Sequence, residues 1–148
     1  MKAEDIMTSD VITVGLQDTI EDVAKILVEK KISGLPVVDE GELVGIISEG
    51  DIVFQNKKVT PPAYVDILGA LITIGSQEQY LHEIKRALAT QVKDLMVTNV
   101  MTVEAEASLE EVATMMIDHN INRVPVVSKK KLLGIITRQD ILKAMGNR

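Results

Sequence analysis

The sequence predicts a mixed α/β (α+β) protein made of two pseudo-symmetric β-α-β-β-α repeats packed through their sheets, with a linker segment inserted between them. Three observations predict it. Residues Ala3 to Val53 and Val92 to Leu142 align without a gap at a constant offset of 89 positions, and 18 of the 51 pairs are identical, including Asp5/Asp94, Met7/Met96, Pro36/Pro125, Gly45/Gly134 and Asp51/Asp140. Each copy has a capped segment with apolar residues at helical spacing, and each has two β-branched runs separated by turn residues. A repeat of about 50 residues buries too little surface to hold a large core alone, so the copies are expected to share one, with any ligand site between them.

The elements follow in order. Val11-Ile12-Thr13-Val14 is a short apolar run that reads as a first strand. Thr19 then caps a helix on which Ile20, Val23, Ala24 and Leu27 recur at helical spacing. In the second copy Ser108-Leu109-Glu110-Glu111 is a capping box, with Leu109, Val112, Ala113 and Met116 as the apolar stripe. Leu35-Pro36-Val37-Val38 and Leu43-Val44-Gly45-Ile46-Ile47 read as paired strands, because Asp39-Glu40-Gly41-Glu42 between them has hairpin chemistry. A further short helix begins near Ser48. The continuous apolar runs indicate strands covered by helices.

Composition narrows the function classes. With 46% apolar and 26% charged residues the chain is an ordinary globular protein. No apolar run approaches the roughly 18 residues that span a membrane. Met1-Lys2-Ala3-Glu4-Asp5 has neither the basic nor the apolar part of a signal peptide, so a cytoplasmic location is expected. The absence of Cys excludes disulfides, thiolate metal sites and a Cys nucleophile. A net charge of −6, one Phe, two Tyr and no Trp argue against a nucleic-acid partner, which would need cations and aromatic platforms. His82 and His119 read as solvated helix positions, and Lys129-Lys130-Lys131 as a solvated hairpin turn. No Ser/His/Asp order, metal-ligand spacing or Gly-rich phosphate loop is apparent. The chain is expected not to be an enzyme and to hold no metal.

The expected boundaries are 1–57 for the first repeat, 58–91 for the inserted linker and 92–148 for the second repeat. The 38 residues from 54 to 91 lie outside the repeated pattern and are too many for a bare connection. Pro61-Pro62-Ala63-Tyr64 ends any helix leaving Asp51, the run from Val65 to Gly75 is strongly apolar, and Gln77 to Thr90 reads as a helix with Leu81, Ile84 and Leu88 on one face. Such a segment is expected to be covered. Three roles stay open for it: closing the end of the module's own core, a dimer or partner contact, or a lid near the cleft.

The segments Ile32-Ser33-Gly34-Leu35-Pro36-Val37-Val38-Asp39 and Gly45-Ile46-Ile47-Ser48-Glu49-Gly50-Asp51-Ile52, with their copies Ile121 to Ser128 and Gly134 to Ile141, resemble the signature of CBS domains, and two in tandem resemble a Bateman module. The resemblance covers about two thirds of the chain. It implies a stand-alone regulatory module that binds adenosine-containing ligands, such as AMP, ADP, ATP or S-adenosylmethionine, in clefts between the repeats, and that assembles as a homodimer.

Read without the resemblance, Thr137-Arg138-Gln139-Asp140 after an apolar strand is first a helix cap, in which Thr137 and Asp140 satisfy first-turn amides. A carboxylate at such a turn can also accept hydrogen bonds from both hydroxyls of a ribose, with the hydroxyl and free amides facing a phosphate. The resemblance favours the ribose role for Asp140, and for Asp51 in Ser48-Glu49-Gly50-Asp51. Arg123 has Gly34 as its counterpart, so only the second repeat carries a cation before its Val-Pro strand. A solvated surface Arg is the ordinary alternative. In an acidic protein, however, a bound phosphate needs a local cation, and Arg suits its oxygens. In the CBS domains of the AMP-sensing kinase an Arg at this place contacts ligand phosphates.

The resemblance implies a crossed geometry. The preferred site pairs Met7, Val11, Ile12, Ile32, Ser33, Gly34 and Pro36 of the first repeat with Arg123, Thr137 and Asp140 of the second. The pseudo-symmetric second site pairs Met96, Val100, Met101, Ile121, Asn122 and Pro125 with Ser48 and Asp51; Gly34 denies it a matching cation, so it is empty, weaker, or suited to a ligand with less phosphate. For the aliphatic residues ordinary core packing is the alternative role. Two functions remain: an adenosine-ligand sensor that modulates a separate, unidentified protein, and a structural adaptor that keeps the fold and binds no nucleotide.

Overall fold

The computed structural model describes residues 1–59, 61 and 63–147. In chain order the elements are α1 (Ala3–Ile6), α2 (Ile20–Lys30), β1 (Gly34–Asp39), β2 (Glu42–Ser48), α3 (Glu49–Phe54), β3 (Ala63–Ile67), β4 (Ala70–Ile74), α4 (Gln77–Ala87), α5 (Val92–Leu95), α6 (Leu109–Asp118), β5 (Arg123–Ser128), β6 (Lys131–Thr137) and α7 (Arg138–Gly146). The Thr19 hydroxyl accepts from the Asp22 amide at 3.1 Å, and Ser108 and Glu111 exchange reciprocal bonds, so both repeat helices start at the caps that the sequence marks.

Each repeat contributes an antiparallel hairpin closed by a two-residue turn with both φ angles positive, as a type I′ turn requires. Glu40-Gly41 makes the first turn and Lys129-Lys130 the second. The hairpins join at the single pair Glu42↔Lys131 into one sheet of order β1-β2-β6-β5. The expected first strands shrink to single parallel bridges, Val14↔Val37 and Val103↔Val126. In the first repeat Gly15 begins a turn closed by its amide on Asp18 Oδ2 at 2.7 Å, and Thr8, ahead of Val14, is spent on a different partner.

That partner is the other repeat. Thr8 and Ile135 exchange two backbone hydrogen bonds at 2.9 Å, and Val97 and Ile46 exchange the equivalent pair at 2.8 and 2.9 Å. Gly134 and Gly45 permit this crossing. A Cβ on Gly134 would stand 2.5 Å from Met7 Sδ and 2.9 Å from the Thr8 carbonyl, and one on Gly45 would stand 2.7 Å from Met96 Sδ and 2.9 Å from the Val97 carbonyl. The cores are exchanged accordingly. Ala3 of α1 is buried with Val103, Val112, Val124 and Ile136, while Val92 and Leu95 of α5 are buried with Val14, Val23, Leu35 and Ile47. Neither core is complete without the opening residues of the other repeat.

The linker departs from its expected cover. Its apolar run forms the β3–β4 hairpin, turned through Leu68-Gly69, and Tyr64, Ile67, Leu68, Leu71, Ile72 and Ile74 are all exposed. It therefore does not close the module's own core. The following helix ends at Ala87, and Leu81 and Leu88 of the expected stripe are 63% and 74% exposed. What turns toward the body is Ile84 together with Arg86, because polar contacts set the helix's rotation: Gln55 Nε2 donates to the Arg86 and Ala89 carbonyls at 3.1 and 2.8 Å, and the Arg86 guanidinium stacks 4.4 Å from the Phe54 ring centroid. Pro62 lies outside the described residues.

Candidate functional site

Crossing the opening segments leaves a cleft on each side of the joined hairpins. The first has a volume of about 790 Å³. Its walls from the first repeat are Val11, Ile12, Ile32, Ser33, Gly34 and Pro36, and Arg123, Thr137 and Asp140 enter from the second. Nine of the ten residues expected at the preferred site thus line one cavity. Met7 does not, because its thioether packs over Gly134. Thr8, Asp10, Leu27, Val28, Lys31, Glu49, Ile135, Gln139 and Lys143 complete the wall. Glu49 and Gln139 lie inside the two Ser/Thr-x-x-Asp caps, whereas the others come from the segment before Val11, the end of α2, β6 and the middle of α7, where no local sequence pattern marks the cavity.

The second cleft is smaller, about 250 Å³, which falls under the roughly 300–1,000 Å³ of most small-molecule sites. Val100, Met101, Ile121, Asn122, Ser48 and Asp51 line it, with Ile46, Val97, Asn99, Asn120 and Arg123 added. Met96 packs over Gly45 and is not part of this wall, and Pro125, unlike its counterpart Pro36 in the first cleft, does not line it either.

Asp140 shows how a cap and a binding group coexist. Its Oδ2 accepts from the Thr137 amide at 2.7 Å and the Thr137 hydroxyl at 3.0 Å, which fixes the carboxylate at the start of α7. Among the described residues no donor engages Oδ1, which is left to the cleft. Asp51 has the same cap, with Oδ2 accepting from the Ser48 amide at 3.0 Å and hydroxyl at 3.1 Å. Its Oδ1, however, takes Arg86 Nη2 at 3.0 Å. Arg86 stands 35 positions away in the linker, and no sequence pattern ties it to Asp51.

Arg123 lies across Gly34, where a Cβ would stand 2.6 Å from its Cζ, and donates to the Ser33 hydroxyl. It borders both clefts. Burial pushes its guanidinium below the usual Arg range, and the Glu49 and Asp51 carboxylates push it back; guanidinium protonates so far above neutrality that it stays charged. The first cleft's wall carries Lys31, Arg123 and Lys143 against Asp10, Glu49 and Asp140, so an acidic protein presents a locally balanced site. Among the described residues no His/Asp/Glu cluster could hold a metal ion, and no helix is long and apolar enough to cross a membrane.

Two crossed repeats with paired clefts define a tandem CBS architecture, and the comparisons agree. The CBS domain family model matches residues 3–56 and 92–147. The chain belongs to the CBS domain family. It is 34% identical over 98% of its length to an uncharacterised protein of Methanocaldococcus jannaschii, of which it covers 91%. It is also 31% identical to the inosine-5'-monophosphate dehydrogenase of the same organism, but spans 23% of that enzyme. Among solved structures it is similar to CBSX2 in complex with AMP, with 26% identity, a TM-score of 0.80, and coverage of 99% of this chain and 97% of that one. It is similar too to the CBS domain pair of protein MJ0100 in complex with 5-methylthioadenosine and S-adenosyl-L-methionine, at 29% identity, a TM-score of 0.72 and the same coverages.

Proposed function

We propose that this protein is a regulatory module that binds an adenosine-containing ligand in the first cleft and passes the bound state to another protein. The observation that carries this reading is the Asp140 carboxylate. One of its oxygens is held by the cap and the other faces a cavity of about 790 Å³ that also presents Arg123 and the start of α7. A ribose diol would donate to that oxygen, the base would lie between apolar side chains such as Val11, Ile12 and Ile32, and phosphates would meet Arg123. The adenosine ligands held by CBSX2 and the MJ0100 pair support it. Arg123 favours AMP, ADP or ATP over a ligand without phosphate.

The exposed apolar hairpin supports homodimer assembly, since burying side chains such as Leu68 and Leu71 against a second copy removes apolar surface from water, which is favourable. Calorimetric titration of nucleotide-stripped protein with AMP, ATP, S-adenosylmethionine and adenosine tests the reading. A ligand of the folded pair alone also raises the melting temperature. Absence of heat and of thermal shift with every compound at millimolar concentration would leave the adaptor role instead.

A further inference from the structure

The two clefts carry the same cap but differ in what holds the outer carboxylate oxygen. Asp140 Oδ1 is open, whereas Asp51 Oδ1 accepts from Arg86, whose side chain is 24% exposed beside an Asp51 side chain 12% exposed. With Oδ2 already committed to Ser48, both oxygens of Asp51 are occupied from within the protein. A ribose diol in the second cleft would have to compete with a charge-assisted bond from a stacked guanidinium.

The way α4 is mounted points in the same direction. A helix with Leu81 and Leu88 available for packing leaves both in water and turns Arg86 inward instead. Its attachment is mainly polar: Arg86 to Asp51, Gln55 to the carbonyls of Arg86 and Ala89, and Lys57 to Glu83 at 3.4 Å. Polar attachments of this kind are exchangeable for a ligand's hydroxyls in a way that buried apolar packing is not.

We infer that Arg86 is a latch from the linker that closes the second cleft to ribose, so that one adenosine ligand binds per chain and a second binds only when α4 lets go of Asp51. The inference rests on the ribose role proposed for the two carboxylates. It assigns the linker helix a regulatory part: whatever pulls α4 away, through the exposed hairpin that precedes it, opens a second site.

The test is calorimetric titration with AMP of the full chain, of Arg86→Met, of Gln55→Ala and of the double variant Arg86→Met with Asp51→Asn. The wild-type chain binds one AMP. Arg86→Met, which keeps the apolar stem and removes the charge, binds the first AMP as before and gains a second event, roughly tenfold or more tighter than any second event of the wild type. The double variant loses that event again. Gln55→Ala removes the bonds to the Arg86 and Ala89 carbonyls and so loosens the end of α4, leaves the Arg86 side chain and the residues lining both clefts as they are, and strengthens second-site binding by a smaller factor, which decides the matter if Arg86→Met does not fold. Two equal events in the wild type, or one unchanged event in folded Arg86→Met and Gln55→Ala, overturn the latch while leaving first-cleft binding intact. No binding by any of the proteins overturns the ribose role and the latch with it.

Discussion

Arg123→Ala separates phosphate recognition from nucleoside recognition. The guanidinium occupies the space over Gly34, is anchored on Ser33 and reaches the first cleft beside Asp140. A hydrogen bond to a charged group contributes about 1.5–3 kcal/mol, and every 1.4 kcal/mol is about tenfold in affinity. Because Arg123 is half-buried and one of its nitrogens already serves Ser33, the lower part of that range applies, so AMP affinity falls about 10- to 30-fold. Adenosine, with no phosphate, changes by less than about threefold, since Asp140, the ribose partner proposed above, and the apolar walls are untouched. The assay is calorimetry with AMP and adenosine at low and high salt, where the AMP penalty shrinks as screening grows. Asp140→Ala is the contrast: it weakens both ligands alike, by about 1–3 kcal/mol, through unpaired ribose hydroxyls. If Arg123→Ala weakens adenosine as much as AMP, the guanidinium supports the cavity rather than a phosphate and the reasoning fails.

Three further outcomes follow from the packing. Gly134→Ala forces a methyl against the Thr8 carbonyl, so the crossed strand pair loosens and urea unfolding should show a loss of about 2–4 kcal/mol from overpacking plus weakened backbone bonds; a change under about 0.5 kcal/mol would deny that the crossing is tight. Lys130→Gly relieves a left-handed residue at φ 69° in the β5–β6 turn and should stabilise by about 0.5–1 kcal/mol, read as a melting temperature higher by about 1–4 °C. Light scattering should give a dimer mass for the wild type and a monomer mass for Leu71→Asp, whose hairpin side chain is 75% exposed; a monomeric wild type at micromolar concentration, with and without AMP, rejects the hairpin as a dimer contact.

What the sequence determined by itself is what local chemistry determines. The 89-residue offset, the Thr19 and Ser108 caps and the turn residues around Gly41 specify the helices and hairpins, because capping, periodicity and positive φ act within a few residues. The two Ser/Thr-x-x-Asp caps were likewise legible, and with them Asp51 and Asp140. The tertiary structure decided what depends on residues far apart in the chain. It reduced Val11 to Val14 to one bridge by spending Thr8 on Ile135, and it sent Met7 and Met96 to cover glycines rather than to wall the clefts. The fate of the linker was decided there too. A stripe of Leu81, Ile84 and Leu88 predicts a buried face, yet α4 is turned by Arg86 on Asp51 and Gln55 on its carbonyls, contacts whose strength comes from geometry that no spacing in the sequence encodes. The inequality of the clefts has the same origin: Gly34 opposite Arg123 is visible as a pair of letters, but that one guanidinium borders both cavities, and that Asp51 is already taken, exist only once the repeats have crossed.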